Sequence, residues 1–323
     1  MKILLTGITS IQTNSRGPRS KRDYISFPYV LNQMLLDLGH KVTFAPYTPS
    51  IHNLNSYDVV LIGLAPTSSR VSIYAYNAFL AMQHERKLFY LVDWNVKAAF
   101  SQRIASEPFG DFVAGCNKLD PSRVERKIIE KKIRWFFENK HDVLAQMFNW
   151  GDHDDAKEGV PIRKLISIDP TPFMFDGKVV QAKVKTKAWV SATLKDNDEK
   201  LNKLNLSWPI IQYNKDNYLS EAKLIDEIYS KNWGVIALPY YHRGCGWFRG
   251  RFIHAIKAGS ILHAHPNEAG ELGTPYVFDV ESYESASPKE LKFLVNGQRD
   301  CFMKHVISKE DTLDKLSDIL RRM

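Results

Sequence analysis

The stretch Phe252-Ile253-His254-Ala255-Ile256-Lys257-Ala258-Gly259-Ser260-Ile261-Leu262 decides how the rest of the chain is read, because it predicts a helix running through a glycine turn into a buried strand. Before it come an apolar run at residues 234–238 and a loop carrying Gly244, Gly246 and Gly250 together with Arg243, Arg249 and Arg251. Strand, glycine-rich basic loop, helix and returning strand make a βαβ unit. In such a unit the helix N-terminus and nearby guanidinium groups can hold a phosphate. A nucleotide site is the expectation. For Arg251 the plainer reading is a solvated residue at a helix start.

Working outward, the first half alternates short β-rich runs with helical periodicity. Residues 2–6, 41–45, 58–62 and 88–92 read as strands, and 165–168 as the strand that closes the set. Residues 27–38 read as a helix with Val30, Leu31, Met34, Leu35 and Leu38 on one face, and residues 73–84 as another. Asp120-Pro121 caps a further helix running to about residue 140, proline taking its favoured first position. Such alternation implies a parallel, doubly wound sheet. Residues 169–187, with two prolines and a lysine-rich run that buries little, read as the linker. Beyond it, residues 189–192, 210–212 and 276–278 read as strands, 221–229 as a helix and 308–321 as a final amphipathic helix. The expected fold class is α/β, with two Rossmann-like domains, residues 1–175 and 186–323, facing a central cleft.

At 323 residues the chain suits two domains, and 44% hydrophobic residues exclude wholesale disorder. Cys116, Cys245 and Cys301 stand far apart with no CxxC pair, which argues against a disulfide framework or a structural zinc site and for a reducing cytoplasm. No run approaches the roughly 20 apolar residues of a membrane span. A formal charge of +8 favours a polyanionic partner.

Two basic features are candidates for holding DNA. The loop at residues 15–22 carries Arg16, Arg19, Lys21 and Arg22 just after the first strand. On the helix at 121–140, Arg123, Lys127, Lys131 and Arg134 fall on one stripe, although Glu125, Glu130 and Glu138 make a solvated face the alternative. Asp93 follows the run Phe89-Tyr90-Leu91-Val92, at the strand end where parallel sheets bind ligands. A carboxylate there can accept the proton of an attacking hydroxyl, while a loop-capping aspartate is the plain reading. Asn95 has similar spacing, but an amide is no base. Asp152-His153-Asp154-Asp155 and His263-Ala264-His265 invite a metal reading, yet the first fits an exposed turn, and His265 can equally touch a sugar. No metal is assigned. Tyr240, Tyr241 and Trp247 can stack on a base or sugar, or simply pack between domains.

The pattern A-x-K-A-G-x-x-L, Ala255 to Leu262 here, resembles the donor-binding half of GT-B glycosyltransferases, where this helix grips the diphosphate and ribose of a nucleotide sugar. The resemblance implies that His254, five residues before Gly259, stands where those enzymes commonly carry a ribose-binding acid. The run Lys87-Leu88-Phe89-Tyr90-Leu91-Val92-Asp93 followed by Phe100-Ser101-Gln102 resembles the segment that carries the catalytic aspartate in the DNA β-glucosyltransferases of T-even phages, with the spacing different by two residues. The first strand, the strand end with Ser191 and the block with Arg251 follow in that family's order. What the resemblance implies is a donor site of Ser191, Arg243, Arg249, Arg251 and His254, with Asp93 as catalytic base. It further implies a UDP-sugar donor, no obligatory cofactor, and double-stranded DNA with modified cytosine, a 5-hydroxymethyl base, as partner. A cytoplasmic, monomeric, inverting enzyme acting in an infected host cell is expected. The rivals are a GT-B enzyme with a cell-envelope or small-molecule acceptor and a non-enzymatic nucleic-acid-binding protein.

Overall fold

The computed structural model describes residues 1–6, 27–44, 54–64, 84–91, 138–146, 162–175, 177–180, 182–192, 201–213, 224–237, 250–264, 280–304 and 306–323. Two sheets, every pairing in them parallel, organise these residues. The first contains β1 (Lys2–Thr6), β2 (Lys41–Phe44), β3 (Val59–Leu64), β4 (Lys87–Leu91), β5 (His141–Gln146) and β6 (Ile162–Ile168), in the order β2-β1-β3-β4-β5-β6. Ile3, Leu4 and Leu5, like Val59 to Ile62, are fully buried. A parallel strand covered on both faces needs apolar residues on both, which explains the unbroken Ile-Leu-Leu and Val-Val-Leu-Ile runs. Helix α1 (Phe27–Asp37) buries Val30, Leu31, Met34 and Leu35, the face its helical spacing predicts.

The second sheet contains β7 (Thr186–Ala192), β8 (Ile210–Tyr213), β9 (Asn232–Ala237) and β10 (Ile261–Ala264), in the order β10-β9-β7-β8. The short helix α2 (Thr171–Met174) lies before it, a π-helical turn at Leu224–Tyr229 leads into β9, and α3 (Gly250–Lys257) joins β9 to β10. Trp189 is the buried centre of this half. A Cβ on Gly234 of the neighbouring strand would lie 2.2 Å from the Trp189 ring, so glycine there makes room for the indole. Helix α3 ends in a left-handed glycine, Gly259 at φ 58, with Gly259 N–H bonded to the Ile256 carbonyl and Ser260 N–H to that of Ala255. Helix α1 ends the same way at Gly39, φ 75. Both are Schellman caps, which satisfy the last carbonyls and turn the chain into the next strand.

Several elements differ from expectation. Strand β5 falls at residues 141–146, where none is predicted, and β6 begins at Ile162 rather than at 165. Helices α4 (Val280–Ser285) and α5 (Pro288–Met303) occupy residues to which no element is assigned from the sequence. The signal for α5 is present: Ser287 and Glu290 form a capping box, with Pro288 in the first turn. Within residues 169–187 the described part of 177–184 is exposed or half-buried, as read, while Val180 N–H bonds the Lys257 carbonyl and Lys185 Nζ bonds the Ala258 carbonyl and Ser260 hydroxyl at 2.8 and 2.9 Å. The helix at 73–84, all but its last residue, most of the helix at 121–140 and the strand at 276–278 lie outside the described residues.

The final helix, α6 (Lys309–Arg322), packs back on α1, α2 and β6. Its Leu316 and Leu320 join a continuous apolar cluster that also takes Leu31 and Leu35 of α1, Phe175, Val190 and Ile253. One core thus touches elements of both sheets. Arg86, just before β4, donates to the Leu320 carbonyl at 3.0 Å.

Candidate nucleotide-binding site

The order of the second sheet locates a crevice. The chain leaves β7 for β8 on one side and returns as β9 on the other, so the strand order reverses between β7 and β9. Ligands of open parallel sheets collect outside the carboxyl ends of such a strand pair. Ser191 stands one residue before the end of β7, 1% exposed, and its hydroxyl has no hydrogen-bond partner among the described residues. An unpaired buried hydroxyl costs about 1–3 kcal/mol, so a ligand group at this edge gains from bonding it.

Helix α3 follows β9 and runs antiparallel to it, because β10 must return parallel. Its N-terminus, with Gly250 and Arg251, therefore opens at the carboxyl edge of the sheet. The first-turn amides have no acceptor within the helix and carry the positive end of its dipole. That is the arrangement a diphosphate needs. His254 sits one turn in, half-buried, its ring edge-on to Tyr229 with centroids 5.8 Å apart. The packing fixes the imidazole against the π-helical turn.

Beneath this edge the strand platform is braced. Glu284 of α4 accepts the Trp189 indole N–H at 2.7 Å, the Trp208 amide at 2.8 Å and the Ser207 amide at 2.8 Å. Burial pushes its carboxyl upward, yet the bonds from Ser207, Trp208 and Trp189 outweigh it and hold the pKa below the ordinary value. The brace ties β7, which carries Ser191, to the start of β8. On the outer side of β10, Gln298 of α5 donates to the Leu262 carbonyl and accepts its N–H, both at 2.9 Å, covering the sheet edge. His263, read as a possible metal ligand, is buried with its ring 6.0 Å from that of Trp189. His265 and residues 152–155 lie outside the described residues. Among the described residues no group of three His, Cys, Asp or Glu is placed to hold a metal ion, and no helix is long and apolar enough to cross a membrane.

The first sheet has its own reversal, between β1 and β3, and Thr6 ends β1 there. Thr6 is fully buried, its hydroxyl unbonded among the described residues, while its carbonyl accepts the Tyr90 hydroxyl at 3.0 Å. The basic stretch with Arg16, Arg19, Lys21 and Arg22 follows β1 in the sequence. Strand β4 ends at Leu91, two residues before Asp93 in the sequence. Asp93 itself, Arg243, Arg249, the Arg251 side chain, the four loop cations and Arg123, Lys127, Lys131 and Arg134 lie outside the described residues. Of the expected donor set, Ser191 and the Arg251–His254 segment of α3 are placed, at the carboxyl end of β7 and in the helix after β9. Glu284 and Gln298, which brace that platform, escape a reading of the sequence.

No family model matches the sequence, and no curated protein does. Likeness to solved structures is extensive in three dimensions. The chain superimposes on T4 phage BGT in complex with UDP and Mn²⁺ with a TM-score of 0.62 at 10% identity, over 99% of each chain. The same enzyme with its UDP-glucose substrate gives 0.60 at 10% identity over 99% of each chain. A further structure of T4 phage β-glucosyltransferase gives 0.57 at 11% identity, again over 99% of each. The chain therefore has the α/β fold, built on two parallel sheets, of the phage β-glucosyltransferase that its sequence patches resemble.

Proposed function

We propose that the protein is a GT-B glycosyltransferase that moves a sugar from a UDP-sugar to the hydroxyl of a 5-hydroxymethylated base in DNA. The observation that carries the reading is the β9–α3–β10 unit at the reversal of the second sheet, in a chain sharing a nearly full-length fold with an enzyme solved with UDP-glucose. The basic loop after β1 and the overall charge of +8 suit a DNA acceptor.

In the step proposed, Asp93 accepts the proton of the hydroxymethyl O–H as that oxygen bonds to the anomeric carbon. The bond from this carbon to the diphosphate breaks, and UDP leaves with the electron pair. A single displacement of this kind inverts the anomeric centre. Arg243, Arg249, Arg251 and the α3 amides are assigned to the charge developing on the diphosphate, where preorganised donors are worth most. Ser191 and His254 position the nucleotide. Because a base hydroxyl lies within the duplex groove, flipping the nucleotide outward brings it to Asp93. The setting proposed is the cytoplasm of an infected host cell, with the protein a monomer.

Incubating the protein with UDP-glucose and DNA containing 5-hydroxymethylcytosine, then analysing nucleosides by mass spectrometry, tests the whole reading. A glycosylated nucleoside is expected from the modified DNA and none from unmodified DNA. Asp93→Asn should retain UDP binding and lose about 10²–10⁴-fold in turnover, the usual contribution of a general base. Arg251→Ala should weaken UDP by about 1.5–3 kcal/mol in calorimetry, as for a lost charge-assisted bond. Absence of any UDP binding would sink the enzyme reading. Binding of UDP without transfer to either DNA would move the acceptor elsewhere.

A further inference from the structure

The amino edge of the second sheet, opposite the nucleotide crevice, holds a half-buried ammonium group. Lys185 stands one residue before β7, and its Nζ donates to the Ala258 carbonyl at 2.8 Å, the Ser260 hydroxyl at 2.9 Å and the Asn232 carbonyl at 3.4 Å. Three acceptors match the three donors of an ammonium group. The Trp233 indole adds its face, with the ring centroid 5.5 Å from Nζ. Ser260 passes the link on, its oxygen lying 2.9 Å from the Tyr229 carbonyl and 2.8 Å from that of Asn232. One side chain thus joins the end of α3, the starts of β7, β9 and β10, and the π-helical turn.

Ala258 follows the last turn of α3, where the carbonyls find no amide of the helix to bond and carry the negative end of its dipole. A cation there fixes that end. Helix α3 has eight residues and spans about 12 Å, so a shift of its anchored end is carried through to Gly250 and Arg251 at the other. A cavity of about 230 Å³ reaches Lys185, and the other charged residues lining it are Lys183 and Lys292, both cations. β9 contributes the neutral Trp233, and α5 adds Asn296 beside Lys292. With no carboxylate in that lining, burial brings the Lys185 pKa down to about 8.

We propose, on the donor reading given to the crevice, that Lys185 is a positioning residue for the nucleotide: by tying down the end of α3 it sets the phosphate-facing end of that helix against β7, and its proton governs the affinity for UDP. When the ammonium gives up a proton, two donors remain for three acceptors and a lone pair faces an oxygen. One of the three links is lost, and the anchor loosens.

Calorimetric titration of the full chain with UDP tests this at pH 7 and pH 9, where a group of pKa about 8 is about nine-tenths and about one-tenth charged. Lys185→Met keeps the length of the side chain and removes its donors. At pH 7 it should bind UDP about fivefold more weakly than the parent, and by pH 9 the parent's affinity should fall to meet it. Titration of UDP itself acts on both proteins equally. Lys185→Arg, which stays charged, should show no such decline, and it decides the matter should Lys185→Met fail to fold. Stability should move the other way. A folded pKa of about 8 against an ordinary 10.5 means that the buried charge costs stability at pH 7 and that the cost is relieved as pH rises from about 8 towards 10.5. Relative to Lys185→Met, the parent should therefore gain in thermal melting over the range in which it loses UDP, whereas a general loosening would lower both. A parent affinity that Lys185→Met leaves unchanged at pH 7, or a decline at pH 9 that Lys185→Arg shares in full, would overturn the role of Lys185 and leave the reading of the crevice standing. Failure of the parent to bind UDP would overturn both.

Discussion

Asp169 and Glu284 both set a carboxylate against an apolar core, one in each half of the molecule, and the protein treats them oppositely. Asp169, fully buried just past β6, accepts the Thr171 amide at 2.9 Å through Oδ1, while Oδ2 has no hydrogen-bond partner among the described residues. Burial drives its pKa up to about 6. Glu284 collects the Trp189 indole, two backbone amides and the Ser207 hydroxyl, and its pKa falls. Depth and donors together fix the sign: at fully buried Asp169 desolvation outweighs the bonds it accepts, whereas at half-buried Glu284 the bonds outweigh desolvation. Glu284 thus stiffens the strand platform beside the candidate nucleotide site, whereas Asp169 costs stability where the chain passes from one sheet to the other.

The largest effect should come from breaking the satisfied member of the pair. Glu284→Ala leaves the Trp189 indole and the Trp208 amide without their acceptor, and each lost partner of this kind costs about 1–3 kcal/mol. A loss of about 2–4 kcal/mol is expected in urea unfolding followed by tryptophan fluorescence. An unchanged midpoint would mean that the brace carries no weight.

Asp169→Asn should do the reverse and raise stability at pH 7 by up to about 2–3 kcal/mol, following from a folded pKa near 6 against about 3.9 unfolded. A raised folded pKa favours folding below the unfolded value, and that contribution is lost as pH rises from about 4 through about 6. The gain from asparagine should therefore vanish near pH 4. Glu284, with its lowered pKa, contributes stability above its unfolded value of about 4.3 and loses it as pH falls through the lower folded value. Opposite slopes for Glu284→Gln and Asp169→Asn across pH 3–7 would sharpen the contrast; parallel slopes would remove it.

The smallest effect serves as a control, because here the two halves are alike. Gly39→Ala and Gly259→Ala each force a Cβ into a left-handed cap at φ 75 and φ 58, worth about 1–2 kcal/mol. At Gly39 the new methyl meets nothing within 4 Å, so backbone strain alone sets the cost. Similar losses from the two substitutions, read by thermal melting, would place the difference between the halves in their carboxylates. A much larger loss at Gly259 would mean that its cap also supports the neighbouring strand.

Local pattern made much of this fold legible. Strand β1 coincides with the predicted residues 2–6, α1 ends within a residue of its apolar stripe, and the glycine turn at Gly259 separates α3 from β10 as read. Strand β5 was hidden because it opens His-Asp and follows a stretch whose sequence reads as helical, so that neither period dominates. Helix α5 was hidden by its mixed composition, with Gly297 in its interior, although the Ser287–Glu290 box marked its start. The bracing of the candidate site is less legible still. Glu284 meets Trp208 and Trp189 across 76 and 95 residues of chain, and Gln298 meets Leu262 across 36. Separations of that size leave no periodic trace in one sequence. The order of the strands, which fixes where the crevice opens, is likewise a property of the folded sheet.

The return of α6 to the first sheet sets the order in which the protein can be completed. Arg86 meets Leu320 across 234 residues, and Thr312 reaches the Asp169 carbonyl across 143. During synthesis the first sheet must wait for the last helix, exposing the Leu31 and Leu35 flank of α1 while more than half of the polypeptide is still being made. Closing so long a loop slows the final docking and lengthens the interval in which a chaperone can hold the nascent chain. A fragment ending at residue 175, though it contains all six strands of the first sheet, would lack the piece that seals it.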